Sequence, residues 1–86
     1  QLLSVLPVNE QEQYKGTVYI RTNEKIQALN RAYQALASIY TNVHFIDLYD
    51  NFLDEGGQLR EDFTTDGLHL TIAGYAMLSK ALQPYL

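Results

Sequence analysis

Leu2-Leu3-Ser4-Val5-Leu6 is an almost unbroken apolar run that Pro7 stops. A strand with no polar face has to be covered on both sides, the situation of an interior strand in a parallel sheet. That requirement limits the fold more than any other part of the chain. From Val8 to Arg21 the residues turn polar without a sustained period, which predicts a long loop. Thr22 or Asn23 then offers a cap, and Ile26, Leu29, Tyr33, Leu36 and Tyr40 recur at spacings of three and four, predicting an amphipathic helix over 23–40 with that stripe toward the core. Val43-His44-Phe45-Ile46-Asp47-Leu48 is β-branched and aromatic enough for a second strand. Strand, helix and strand in this order form a parallel, right-handed crossover.

Tyr49 to Leu68 reads as a structured loop, with a turn at Asp54-Glu55-Gly56-Gly57. Thr71 can cap a last helix in which Ile72, Tyr75, Leu78 and Leu82 lie along one stripe and Pro84 marks the end. The tyrosines at 33, 40, 75 and 85 fall on helical stripes and are expected in the core. Eighty-six residues allow one small domain. Two strands with one helix each do not complete a sheet whose first strand is apolar on both faces. The fold class is therefore α/β, and residues 1–86 are expected to be one segment of a larger α/β domain. Its first strand edge would need covering by the rest of that domain or by another chain. The start at Gln1 rather than Met fits either a processed product or part of something longer.

An apolar content of 47% suits a globular chain and exceeds that of disordered ones. The net charge of −4, with Lys15, Arg21, Lys25, Arg31, Arg60 and Lys80 scattered, argues against a nucleic-acid surface. No apolar stretch is long enough to span a bilayer. Without cysteine there is no disulfide framework or thiolate metal site, and the compartment is left unassigned.

Chemistry concentrates at Asp66-Gly67-Leu68-His69. In open α/β sheets, functional groups gather beyond the carboxyl ends of the strands, where the loops holding Pro7 to Asn9 and Tyr49 to His69 lie. A carboxylate beside an imidazole keeps one ring nitrogen protonated and stabilises the imidazolium formed when the other nitrogen takes a proton. Asp66 would orient and His69 would act as base. Spacing alone leaves a second reading open, a polar loop acid and a surface histidine. No nucleophile stands out: Ser4 lies in a predicted strand, Ser38 and Ser79 lie on predicted helices, and Thr64 and Thr65 read as turn formers. Asn9 and Tyr14 follow the first strand on the active side and are low-ranking candidates for substrate contact. His44 reads as a strand histidine, and Asp47, Asp50, Asp54 and Glu55 lack calcium-loop spacing and read as a solvated rim, so no metal is assigned.

The segment T-T-D-G-L-H-L-T-I-A-G-Y-A-M-L-S-K-A-L, residues 64–82, closely resembles the last block of the SGNH hydrolases, also called the GDSL esterase and lipase family. L-L-S-V-L-P-V-N is similar to the strand and loop that follow the third block in acetylesterase-like members, and the helix and second strand follow in the same order. The resemblance implies the C-terminal part of a flavodoxin-like three-layer α/β/α domain with a parallel sheet. The blocks carrying the nucleophilic serine and the oxyanion hole would lie N-terminal to these residues. It also implies that Asp66 and His69 are the catalytic acid and base of a serine ester hydrolase that requires no cofactor. Small acyl esters are the implied substrates, O-acetyl groups on carbohydrate among them, with thioesters and lipids open. The rival expectations are a non-catalytic carbohydrate-binding or interaction module on the same scaffold, and an inactive fragment.

Overall fold

The structure, a computed structural model, describes residues 2–86; Gln1, where the expectation about the chain start falls, lies outside the described residues. Two short strands, β1 (Leu2–Leu3) and β2 (Phe45–Ile46), pair in parallel with Leu2 opposite Phe45 and Leu3 opposite Ile46. Between them run α1 (Lys15–Val18) and α2 (Asn23–Ile39), and α3 (Ile72–Leu82) follows β2. Short 3-10 turns at Glu12–Tyr14, Tyr49–Phe52, Glu61–Phe63 and Gln83–Tyr85 complete the path. The strand, helix, strand, helix order expected from the sequence is present. The stretch 8–21, expected as an irregular loop, instead contains the turn at Glu12–Tyr14 and α1. Each is shorter than the span over which an apolar period can be recognised.

Both strands are shorter than the apolar runs that predict them, and the reason is chemical. Ser4 still donates its backbone N–H to the Ile46 carbonyl at 2.9 Å, but the next partner of β2, the Leu48 N–H, goes to the Ser4 hydroxyl, also at 2.9 Å. The Val5 N–H and carbonyl are then taken by the Asn30 side-chain amide at 2.7 and 2.9 Å. Asn23 does the same for Val8, at 2.8 Å to both groups. Each amide imitates a strand neighbour, satisfying part-buried backbone groups at Val5 and buried ones at Val8, the latter costing about 1–3 kcal/mol each if left alone. Asn23 and Asn30 stand on the same face of α2, and Ala37 continues it; these are its buried residues.

That face corrects the expected stripe. Ile26 and Tyr33 are half-buried, whereas Leu29, Leu36 and Tyr40 are exposed. The amide clamps, rather than the leucines, decide which side of α2 docks. Thr22 caps the helix as expected, its hydroxyl accepting the Lys25 N–H at 3.1 Å.

Ile46, Leu48, Phe52, Leu59 and Phe63 form the core, and Leu6, Leu70, Met77, Leu78, Ala81 and Leu82 pack around it. The rings of Phe52 and Phe63 meet edge to face with centroids 5.7 Å apart. The segment 49–68 is thus a structured loop that supplies much of the core, and Asp54 Oδ1 closes its turn by accepting the Gly56 and Gln58 N–H groups. Phe45 shares a cleft with Gln27 and Asn30 of α2, while Ile46 packs with α3. Because successive strand residues point to opposite faces, α2 and α3 flank the strands on opposite sides.

The stripe expected on α3 also needs correction. Ile72 is 90% exposed and Tyr75 60% exposed, and the helix packs through Gly74, Met77, Leu78, Ala81 and Leu82. A Cβ on Gly74 would lie 2.7 Å from the Phe63 carbonyl oxygen, so the helix approaches the loop backbone through its glycine and turns Ile72 and Tyr75 outward. Tyr40 and Tyr85 are likewise exposed, Tyr33 is half-buried, and the buried tyrosine is Tyr49. Among the described residues no helix is long and apolar enough to cross a membrane, and no group of three or more acidic or histidine side chains is placed to hold a metal ion.

Candidate active site

The loop from Thr64 to His69 is closed by its own polar groups. An isolated antiparallel bridge pairs Thr64 with Leu70, bringing the two ends of the loop together. Between them Gly67 takes φ +85°, a left-handed conformation open to glycine and costly for other residues. Asp66 folds its carboxylate back on the turn, with Oδ1 accepting the Leu68 N–H at 2.9 Å and the His69 N–H at 2.8 Å. Its other oxygen, Oδ2, lies 2.6 Å from His69 Nδ1. The structure therefore brings the two residues singled out by the sequence into direct contact.

The charge state of the pair follows from these contacts. The hydrogen bond to the imidazole, then the backbone N–H groups of His69 and Leu68, hold the Asp66 carboxyl well below the usual carboxylate range. An ionised carboxylate only accepts, so Nδ1 carries the proton of this contact and, in the neutral ring, Nε2 keeps its lone pair. The His69 side chain is 74% exposed and that of Asp66 31%, so Nε2 belongs to a ring open to solvent while the carboxylate sits further in. The arrangement can take a proton at Nε2 and stabilise the resulting cation through Asp66.

A testable consequence concerns acid. A carboxyl whose folded pKa lies below its unfolded value of about 3.9 stabilises the loop fully above that value, and the contribution declines as pH falls toward the folded pKa. The Asp66 carboxyl, followed by NMR titration, should show a midpoint below about 3.9, and protection of the Leu68 and His69 amides should weaken only in that acid range. A midpoint at or above the ordinary value would contradict the contacts drawn here.

Asn9 and Tyr14, candidates for substrate contact, occupy different positions. Asn9 is 0% exposed; its amide donates to the Leu59 carbonyl at 2.9 Å and its Oδ1 accepts the Gln11 N–H at 3.0 Å. Its side chain is spent inside the protein, a correction to the expected role, because a polar loop residue next to an apolar strand can equally be drawn under the loop. Its backbone N–H donates to the Gly67 carbonyl at 2.9 Å, which ties the first loop to the second. Tyr14 is half-buried against Gly67, where an added Cβ would meet Tyr14 Cβ at 2.5 Å and Cγ at 2.7 Å. Both residues lie against Gly67, Asn9 through its backbone N–H and Tyr14 through its side chain.

Gly67 and Thr64 belong to the site through the loop backbone. The Asp-Gly step was a signal for the positive φ, and a threonine two residues before an aspartate at a loop start was a signal for a side-chain-closed turn. Among the serines, Ser4 is engaged with Leu48, the exposed Ser38 donates to the Ala35 carbonyl, and Ser79 lies exposed on α3; none is hydrogen-bonded to His69 among the described residues.

Comparison with known proteins places the chain in a family. The family model described as the GDSL-like Lipase/Acylhydrolase family matches residues 2–77. No curated protein sequence matches the chain significantly. A solved structure from Streptococcus pneumoniae, provisionally described as a platelet activating factor, is 60% identical with a TM-score of 0.96 and shares 98% of this chain but 39% of its own. A GDSL-like lipase from Bacteroides thetaiotaomicron is 28% identical, with a TM-score of 0.74, over 98% of this chain and 40% of that one. A Bacteroides fragilis protein provisionally described as an acylhydrolase is 25% identical, with a TM-score of 0.73, over 98% and 39% respectively. The chain therefore spans about two fifths of the length of the solved structures it matches.

Proposed function

The chain belongs to the GDSL-like lipase/acylhydrolase family, and on that premise we propose that residues 1–86 are the C-terminal segment of a serine ester hydrolase, contributing its general base and the acid that orients it. The observation that carries this reading is the 2.6 Å contact between Asp66 Oδ2 and His69 Nδ1, which leaves Nε2 as the basic nitrogen.

In the reaction, His69 Nε2 removes the proton from a serine hydroxyl supplied by residues N-terminal to these. The serine oxygen attacks the ester carbonyl, forming a tetrahedral oxyanion. Collapse expels the alcohol, which takes the proton from Nε2 and leaves an acyl-serine. Water then gives its proton to the same nitrogen while attacking the acyl carbon, and the carboxylic acid leaves as the serine is reprotonated. Throughout, Asp66 keeps Nδ1 protonated and offsets the positive charge on the imidazolium. No step needs a cofactor. Small acyl esters are the proposed substrate class, with O-acetyl groups on carbohydrate as one candidate within it.

The test uses a chain that carries the family's N-terminal blocks ahead of these residues. Such a protein is expected to hydrolyse p-nitrophenyl acetate and to be labelled on one serine by a fluorophosphonate, with the label blocked by prior acylation. A folded protein that neither turns over the ester nor takes the label would replace the esterase with a binding module on the same scaffold.

A further inference from the structure

The His69 ring is largely exposed, so side-chain packing does little to aim it; its placement depends on the Asp66 contact and on its own backbone. That backbone is held by one buried hydroxyl. Thr64 is 3% exposed, and its Oγ1 lies 2.7 Å from the His69 carbonyl oxygen and 2.9 Å from the Gly67 nitrogen. A carbonyl cannot donate and a peptide N–H cannot accept, so the hydroxyl gives its single proton to His69 and receives the one from Gly67. Asp66 Oδ1, 3.4 Å away, loses the competition for that proton and relies on the N–H groups of Leu68 and His69.

From this we propose that Thr64 is the positioning residue of the pair. By fixing the Asp66–Gly67 and His69–Leu70 peptide groups, its hydroxyl sets the line from Asp66 Oδ2 to His69 Nδ1 and hence the direction of Nε2. The β-branched threonine suits the task because its χ1 is stiff and its methyl group fills the buried position. The proposal rests on the role assigned above to Asp66 and His69, and goes beyond it in naming a residue that touches neither substrate nor the reacting nitrogen.

The experiment compares Thr64→Val, Thr64→Ser and Ser4→Ala in the full-length esterase. Valine keeps the shape and branching of threonine and removes only the hydroxyl, whereas serine keeps the hydroxyl. Ser4 serves as the control because its buried hydroxyl also holds a backbone N–H, at 2.9 Å, within the strand pair rather than in the 64–69 loop. Thr64→Val is expected to lower kcat by about tenfold to a hundredfold with KM changed less than about twofold, the pattern of a misaligned base with intact binding. Thr64→Ser should restore kcat to within about threefold of the parent, and Ser4→Ala should lower the melting temperature while leaving kcat unchanged. If Thr64→Val does not accumulate in folded form, Thr64→Cys, with its weak donor and acceptor, takes its place and is expected to lose kcat in the same direction.

A parental kcat in the valine or cysteine variant overturns the proposal, as does a loss no larger than that of Ser4→Ala at matched stability. A His69→Ala variant assayed in parallel separates the two levels. If it retains full turnover, the assignment of His69 as base fails; if it is inactive while Thr64→Val is normal, only the positioning role fails.

Discussion

His69→Ala, in a full-length protein containing this segment, is expected to lower kcat for ester hydrolysis by about ten-thousand-fold or more while leaving the fold intact. The size follows from what the imidazole does. A serine hydroxyl is a poor nucleophile unless a base removes its proton as the bond to carbon forms, and the leaving alcohol needs that proton back. One nitrogen, Nε2, performs both transfers, so its loss affects acylation and deacylation together. The fold should tolerate the change because the ring is mostly exposed; losing its Nδ1 contact with Asp66 Oδ2 leaves the His69 backbone bonds to Thr64 Oγ1 and Asp66 Oδ1 in place. The measurement is turnover of a small acetyl ester beside a melting curve. Unaltered turnover would remove His69 from the mechanism, while a collapsed melting curve would make the rate uninterpretable and call for His69→Gln instead.

Gly67→Ala should have the largest effect on structure of any single methyl added to the site. Two penalties coincide. An L-residue at φ +85° costs about 1–2 kcal/mol. The new Cβ would also fall 2.5 Å from Tyr14 Cβ, 2.7 Å from Tyr14 Cγ and 2.9 Å from Val18 Cγ2, distances that require those side chains to move. Displacing two well-packed groups adds about 1–3 kcal/mol, so a total of about 2–5 kcal/mol is expected. Activity should fall with stability, since the loop cannot keep both the Asn9 N–H on the Gly67 carbonyl and the Asp66 contacts once Tyr14 is pushed away. Gly16→Ala offers the comparison. It stands in α1 with nothing within 4 Å of the added methyl, and should be neutral or slightly stabilising. Equal melting temperatures for Gly67→Ala and the parent would show that the loop backbone is not held as described.

The order of elements, the Thr71 cap, a cap at Thr22 or Asn23, the turn at 54–57 and Asp66 and His69 as a candidate pair were legible in the chain, because each depends on neighbours within a few residues. What stayed hidden depends on distant partners. The stripe of Leu29, Leu36 and Tyr40 is as regular as any buried face, yet α2 docks through Asn23 and Asn30. Their amides find unpaired backbone at Val5 and Val8, fifteen or more residues away. Ile72 and Tyr75 face outward because Gly74 admits the Phe63 carbonyl, a contact no periodicity encodes. Asn9 looked like a group presented to solvent and turned out to be buried; only the location of Leu59, fifty residues on, explains it.

The two asparagines of α2 also act as a ruler. They stand seven residues apart, close to two helical turns, and grip backbone groups three residues apart on a fixed chain. One residue inserted between them would swing the second amide about 100° around the axis, away from Val5, and release the part-buried Val5 N–H and carbonyl. Length changes in this helix are thereby confined to positions after Asn30, where no clamp remains to be kept in phase. In this chain, room for insertion is distributed by two side-chain amides rather than by the boundary between helix and loop.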